Sequence, residues 1–194
     1  NITVFQQALG AGSIASLAQY MKLALRAGFG VAVQGTDPLV LDLDGDGLEL
    51  TTADMGVHFD LDGDGFAERM GWAKGGDGFL VRDLNANGLI DGLVELFGDA
   101  TTSGFAHLAS YDTNADGVVS AHDDNFSSLK VWVDADQDGV TDSGELKSLA
   151  EVGVVSISLA AVATTTVVAG HEVRAQGTFT RLDGTTSKIS DVML

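Results

Sequence analysis

The single proline of this 194-residue chain follows an aspartate, in the dipeptide Asp37-Pro38. The Asp37 carboxylate can reach its own backbone carbonyl through a five-membered ring, and the tertiary proline nitrogen leaves more easily than an ordinary amide nitrogen. Such an attack would break the Asp37–Pro38 bond and leave a cyclic aspartyl anhydride, provided that folding orients the carboxylate and that a proton reaches the nitrogen. Asp-Pro is also a common start of a turn, so the dipeptide alone leaves both interpretations open.

Five loops rich in Asp, Asn and Gly follow this bond, and their spacing is typical of calcium sites. In an EF-hand loop, positions 1, 3 and 5 direct side-chain oxygens at one centre, glycine at position 6 allows a sharp turn, and an acid at position 12 closes the cage. The loop from Asp134 to Glu145 matches this pattern, and the loop from Asp112 to Asp123 repeats it with a shorter acid. The other three loops place the acid one residue late or lack it, so Asp77 or Asp99 is expected to complete a cage. The predicted calcium ligands are Asp42, Asp44, Asp46 and Glu49; Asp60, Asp62, Asp64 and Glu68; Asp83, Asn85, Asn87, Asp91 and Glu95; Asp112, Asn114, Asp116 and Asp123; and Asp134, Asp136, Asp138 and Glu145.

The composition favours a cation as partner. A net charge of -18 and a pI near 4.1 argue against nucleic acid or an anionic membrane, because both would repel this surface. All the predicted ligands are oxygens on flexible loops, several per site, which favours calcium over zinc or magnesium. The alternative is that the Asp-Gly runs are ordinary turns. The apolar stretch from Ala8 to Val33 contains Lys22 and Arg26, so it predicts a soluble helix rather than a membrane span.

The elements around the loops predict an α+β fold. An apolar helical stretch, Phe105–Tyr111, precedes one loop, and residues Glu145–Ala150 are predicted to form the helix that leaves the last loop. These two loops would then form a paired EF-hand-like unit, with Val119 and Thr141 in strand contact at position 8 of each loop.

Alternating β-branched residues from Val152 onward predict a C-terminal antiparallel β segment, with a hairpin turn at Asp183-Gly184. The predicted organisation is an N-terminal helical segment at residues 1–35, followed by one module at 36–194. That module divides into calcium loops at 36–100, the EF-hand-like pair at 101–151 and the β-rich tail at 152–194.

The sequences Thr36–Gly47, Gly56–Gly65, Glu95–Asp99 and Gly177–Thr185 resemble the calcium-dependent self-processing module of FrpC-like RTX exoproteins. The resemblance implies that Asp37-Pro38 is the scissile bond and that folding on calcium triggers its cleavage. It also implies that the anhydride is captured by water, or by a lysine amine of a partner protein in an Asp-Lys isopeptide cross-link. A secreted protein, exported by type I secretion, is the expected setting.

The expected reaction is a single turnover, because cleavage consumes its own bond. His58, Tyr111 and Asp77 are candidates for the acid that protonates the leaving nitrogen. The rival interpretation is a calcium-stabilised structural or adhesin segment in which Asp37-Pro38 is a linker turn. An EF-hand sensor is a weaker alternative, because sensors use methionine-rich grooves and the four methionines here are scattered.

Overall fold

The computed structural model describes residues 36–60, 65–99 and 101–194, and every structural statement below refers to these ranges. The helix predicted within residues 1–35 and the predicted ligands Asp62 and Asp64 lie outside them.

Strands are the main regular secondary structure of the described chain, and its helices are short. The one α-helix of these ranges, α1, spans Gly104–Leu108, and single 3-10 turns cover Leu93–Glu95, Ala109–Tyr111 and Phe126–Ser128. The strands are β1 (Leu39–Leu41), β2 (Val57–Phe59), β3 (Glu68–Met70), β4 (Gly78–Arg82), β5 (Val118–Ser120), β6 (Leu129–Trp132), β7 (Leu146–Ser148), β8 (Val154–Ser158), β9 (Val162–Val168), β10 (His171–Arg181) and β11 (Thr186–Met193).

Nine of these strands form one antiparallel sheet in the order β5-β8-β10-β11-β1-β4-β6-β7, with β9 paired to β10, and β2 and β3 form a separate pair. The short strand β1 lies between β11, at the C-terminal end of the chain, and β4. The strand that begins one residue after the Asp37–Pro38 bond is therefore central in the sheet and hydrogen-bonded on both edges.

The predicted α+β fold with paired EF-hand helices is wrong. The helix predicted at Glu145–Ala150 is instead strand β7 followed by a turn. Pairing with β6 satisfies the main chain of β7, and the N–H and hydroxyl of Ser148 donate to the Glu151 carboxylate, which closes the turn. Only the stretch predicted before the Asp112 loop is helical, as α1 and the 3-10 turn after it. The last predicted calcium loop thus joins two strands, β6 and β7.

The predicted C-terminal hairpin is confirmed. Strands β10 and β11 pair in antiparallel register, and Gly184 takes a positive φ of 83° in the turn between them. The hairpin is nevertheless part of the main sheet, because β11 also pairs with β1.

Strands β1, β4 and β6 are covered on both faces. Val40, Phe79 and Trp132 lie in register across them and belong to one hydrophobic cluster, while their neighbours Leu39 and Leu80 face a second cluster. Burial on both faces explains why β1 and Phe79–Val81 of β4 are continuous apolar runs rather than alternating ones. The centre of the sheet is therefore a rigid support for the segment that enters β1.

Candidate active site and metal-binding loops

The Asp37–Pro38 bond is buried at the edge of this central support. Asp37 is 1% exposed, and Thr36 and Pro38 are also buried. The end of β11 binds the main chain on both sides of the bond: Val192 N–H donates to the Pro38 carbonyl and Leu194 N–H donates to the Thr36 carbonyl, both at 3.1 Å. These two hydrogen bonds hold the Asp37–Pro38 bond in an extended segment that is paired with the C-terminal end of the chain.

One oxygen of the Asp37 carboxyl group is held by a cation, and the other has no donor in the described residues. Arg174 Nη1 lies 3.0 Å from Asp37 Oδ2, whereas Asp37 Oδ1 is buried without a hydrogen-bond partner. Arg174 is the extra residue of a β-bulge, because the register of β10 shifts between Val173 and Ala175. A bulge redirects the side chain that it carries, which here brings the guanidinium to Asp37.

A second carboxyl group, Asp191, lies against Asp37. It sits on β11 opposite Leu39, is fully buried, and neither of its oxygens has a hydrogen-bond donor within the described chain. Burial, hydrogen bonding to Asp37 and the charge of Asp37 together raise the pKa of Asp191 to about 8. The Phe105 and Gly104 amides approach Asp191 and act in the opposite direction, although neither meets the geometry of a full hydrogen bond. Asp191 was not among the site residues predicted from the sequence. The signal that could have identified it is an ionisable residue between Ile189 and Val192, which are both buried.

Two glycines leave room for the Asp37 carbonyl oxygen, the group that an internal attack would convert to an oxyanion. A Cβ atom on Gly98 would lie 2.0 Å from this oxygen, and one on Gly104 would lie 3.0 Å from it. Gly98 also has a φ of +93°, and its N–H donates to His107 Nδ1. The main chain at residue 98 therefore packs directly on the carbonyl of the Asp37–Pro38 bond, which only glycine permits.

The first predicted calcium loop starts directly after β1. Asp42, Asp44 and Asp46 have carboxylate oxygens within 4.8 Å of one another. Asp77 accepts the Glu49 N–H through Oδ2 at 2.7 Å, and its Oδ1 is buried with no donor in the described residues. Burial and the nearby charges of Asp42, Asp44 and Glu49 raise the pKa of Asp77 to about 7, against the opposing effect of the Glu49 N–H. The clustered carboxylates of Asp42, Asp44 and Asp46 and the buried Asp77 oxygen fit the donor set of a calcium ion, whose charge would offset their mutual repulsion.

The other acid considered for a cage, Asp99, stays in its own turn. Its Oδ1 accepts the N–H groups of Thr101 and Thr102. In the second loop, Asp60 accepts the Gly65 N–H and Glu68 lies on β3.

The three later loops share one backbone geometry. In each, the glycine at position 6 donates its N–H to the first aspartate at 2.8 to 2.9 Å: Gly88 to Asp83, Gly117 to Asp112 and Gly139 to Asp134. The closing acid accepts the N–H of the second loop residue at 2.8 to 2.9 Å: Glu95 from Leu84, Asp123 from Thr113 and Glu145 from Ala135. Glu95 fills this role although it comes one residue late. Asn85, Asn87 and Asp91 form hydrogen bonds within the first of these loops, and Asn114 and Asp116 within the second.

The last loop connects metal ligands to the aromatic core. Oxygens of Asp134, Asp136 and Glu145 lie within 4.8 Å of one another, as do those of Asp136, Asp138 and Asp142. The indole N–H of Trp72 donates to Asp134 at 2.7 Å, and that of Trp132 donates to Glu145 at 3.4 Å. The two rings pack edge-to-face with centroids 5.2 Å apart. The two tryptophans of the chain thus contact carboxylates of this loop directly.

Comparison with known proteins identifies the family of this chain. Residues 39–194 match the sequence profile of the SPM domain. The chain belongs to the SPM domain family. Over 169 residues it is 43% identical to the iron-regulated protein FrpA of Neisseria meningitidis serogroup C, an alignment that covers 81% of this chain and 15% of FrpA. The resemblance to FrpC-like proteins is thus confirmed at the level of the family, and the chain spans a small part of this relative's length.

In this SPM domain, the loops pair differently from the sequence prediction. Val119 does not meet Thr141 in the predicted way, because Val119 pairs with Ile157 of β8. The Thr141 hydroxyl instead accepts the N–H of Ile90, which is position 8 of the loop that begins at Asp83.

The three residues predicted as proton donors contact other parts of the molecule. His58 is exposed on β2, Tyr111 accepts a hydrogen bond from Arg82 and packs on Phe97, and Asp77 belongs to the Asp42 loop. In the described part of the SPM domain, no helix has the length and apolar character needed to cross a bilayer.

Proposed function

We propose that this SPM domain is a calcium-triggered, self-cleaving module that breaks its own Asp37–Pro38 bond. The observation that carries the proposal is the buried Asp37 carboxylate, which is held at one oxygen by Arg174 and left without a donor at the other, beside a backbone clamped by β11. A linker turn has no need of a buried charge, and burying one without function costs stability.

The nucleophile is the Asp37 carboxylate. One of its oxygens forms a bond to the Asp37 carbonyl carbon, the bond from that carbon to the Pro38 nitrogen breaks, and a cyclic anhydride remains on Asp37. The clamped main chain and the Arg174 contact reduce the motions that would separate oxygen from carbon, so orientation supplies much of the acceleration. Water then opens the anhydride to two carboxylates.

Calcium would be bound by the acidic loops and supplies positive charge that offsets their repulsion. The loop starting at Asp42 is continuous with β1, and Trp132, Phe79 and Val40 connect the last loop to β1 across the sheet. Ordering of either loop thus favours the paired state of the residues around Asp37. The dependence on calcium follows from this coupling of folding to the site.

Capture by a lysine amine of a partner protein is the alternative fate of the anhydride and yields an Asp-Lys isopeptide bond. Because Asp37 is 1% exposed, the new N-terminal fragment must first separate from β11 before an external amine reaches it. A secreted protein, exported through type I secretion, would meet millimolar calcium only outside the cell, where such loops bind at about 10⁻⁴ to 10⁻³ M.

Addition of calcium to the chain purified in chelator should produce a fragment whose first residue is Pro38. Denaturing gels follow the loss of the intact chain, and mass spectrometry separates the hydrolysed fragment from the anhydride and from a lysine adduct. Magnesium at equal concentration is the control and should leave the chain whole. An intact chain after prolonged saturation with calcium would refute the proposal and favour a structural calcium-binding module.

Gly98→Ala should slow this cleavage by about 100-fold, because the added Cβ atom displaces the Asp37 carbonyl from its place. Gly170→Ala is the matched control: Gly170 has a φ of +91°, and nothing lies within 4 Å of its added Cβ. At both positions, alanine at positive φ introduces a similar backbone strain of about 1–3 kcal/mol. Equal cleavage rates for the two variants at saturating calcium would show that the contact with the Asp37 carbonyl is unimportant.

A further inference from the structure

The Pro38 nitrogen needs a proton in order to leave. The identity of the proton donor rests on the proposed cleavage of the Asp37–Pro38 bond. We propose that the buried carboxyl group of Asp191 is the general acid that protonates the Pro38 nitrogen.

The position of Asp191 in the sheet carries this assignment. Asp191 lies opposite Leu39 in the register of β1 and β11, and the next residue, Val192, donates its N–H to the Pro38 carbonyl. The Asp191 carboxyl group also lies within hydrogen-bonding reach of the Asp37 carboxyl group, the reacting group itself. It is therefore beside both the nucleophile and the residue that leaves.

The hydrogen-bond pattern requires a proton on this pair. Asp37 Oδ1 and both oxygens of Asp191 are buried and accept no well-formed hydrogen bond in the described chain, although the Gly104 and Phe105 amides approach Asp191. Two adjacent carboxylates so poorly satisfied repel each other, whereas a carboxyl group that shares its proton with a carboxylate satisfies both. Arg174 contacts Asp37, which places the negative charge on Asp37 and leaves the proton on Asp191. The raised pKa of Asp191, about 8, agrees with a protonated group at neutral pH.

The proton transfer balances with the cleavage step. As an Asp37 oxygen bonds to the Asp37 carbonyl carbon, that carboxylate loses the charge that held the Asp191 proton. The electron pair of the breaking bond goes to the Pro38 nitrogen, which takes the proton from Asp191 and leaves as a neutral secondary amine. Asp191 is then a carboxylate, and it can accept a proton from the water that opens the anhydride.

Asp37 is the charged group that contacts Asp191, and Arg174 on β10 contacts Asp37 in turn. His107 lies on α1, two residues after Phe105, and its Nδ1 accepts the Gly98 N–H. The Gly104 and Phe105 amides also approach Asp191. A His107→Gln variant separates titration of His107 from titration of Asp191 in the measurement below.

The test measures the initial rate of Pro38-fragment formation by the full chain between pH 6.5 and 10 at saturating calcium. Wild type should lose rate about tenfold per pH unit above about pH 8, as Asp191 gives up its proton. Asp191→Asn keeps the shape but has no acidic proton, so it should cleave about 100-fold more slowly and without this alkaline fall. Asp183→Asn, the same change in the exposed hairpin turn, should keep the wild-type rate and profile, and His107→Gln should keep the alkaline fall.

Two outcomes would overturn the assignment. One is an Asp191→Asn chain that gives the wild-type tryptophan emission with calcium and cleaves at the wild-type rate. The other is a wild-type rate that stays level up to pH 10, which needs no variant and is independent of whether Asp191→Asn folds. A wild-type chain that forms no Pro38 fragment at any pH would instead refute the proposed function itself.

Discussion

Asp37→Asn is expected to leave the calcium-loaded chain intact, with cleavage reduced by about 1,000-fold or more, since a positioned internal nucleophile is lost. An amide is a far weaker nucleophile than a carboxylate, and asparagine occupies nearly the same volume. The substitution also removes one of the two carboxyl groups that face each other in the buried pair, and it gives Asp191 an N–H donor. The variant is therefore expected to fold at least as well as wild type.

The measurement is the yield of the Pro38 fragment over time, together with the calcium dependence of tryptophan emission. Asp183→Asn makes the same chemical change in an exposed turn and should cleave normally. Cleavage of Asp37→Asn at the wild-type rate, with a normal calcium transition, would show that another group attacks the bond.

Glu145→Gln should raise the calcium concentration needed for both folding and cleavage by about tenfold or more. Glu145 has oxygens close to Asp134 and Asp136 and accepts hydrogen bonds from Ala135 and Trp132. Glutamine keeps the shape but removes a ligand charge, and changes at metal-site residues commonly cost 10–100-fold in affinity. At saturating calcium the cleavage rate should return to that of wild type, because Glu145 takes no part in the chemistry.

Glu151→Gln is the matched control. Glu151 is exposed and bonds Ser148 outside the loops, so its substitution should not shift the calcium dependence. In Glu145→Gln, the calcium concentration at the midpoint of the tryptophan-emission change and that at the midpoint of fragment yield should rise together. A shift of the emission curve without a shift of the cleavage curve would separate the last loop from the site and contradict the proposed coupling.

The predicted calcium loops are the part of this chain most readable from sequence, because their conformation depends on neighbouring residues. Gly88, Gly117 and Gly139 each close onto the first aspartate of their own loop. The C-terminal hairpin was predictable for the same reason, since alternation and the Asp183-Gly184 turn are local signals.

The elements between the loops were less readable. Residues Leu146–Ser148 carry no local pattern that forbids a helix, and the pairing with β6 decides their conformation. The contact at position 8 was likewise misassigned, because Thr141 meets Ile90 from a loop 51 residues earlier.

The sequence by itself determined the proposed nucleophile and its proposed leaving group, the oxygen-rich loops and the family, since each depends on residue types at short spacing. Only the tertiary structure decided that Arg174, 137 residues away, holds Asp37, and that Asp191 shares its buried environment. The physical reason is that β11 pairs with β1 across nearly the whole described chain. Such long-range strand pairing is selected by total burial and hydrogen bonding, and no local spacing encodes it.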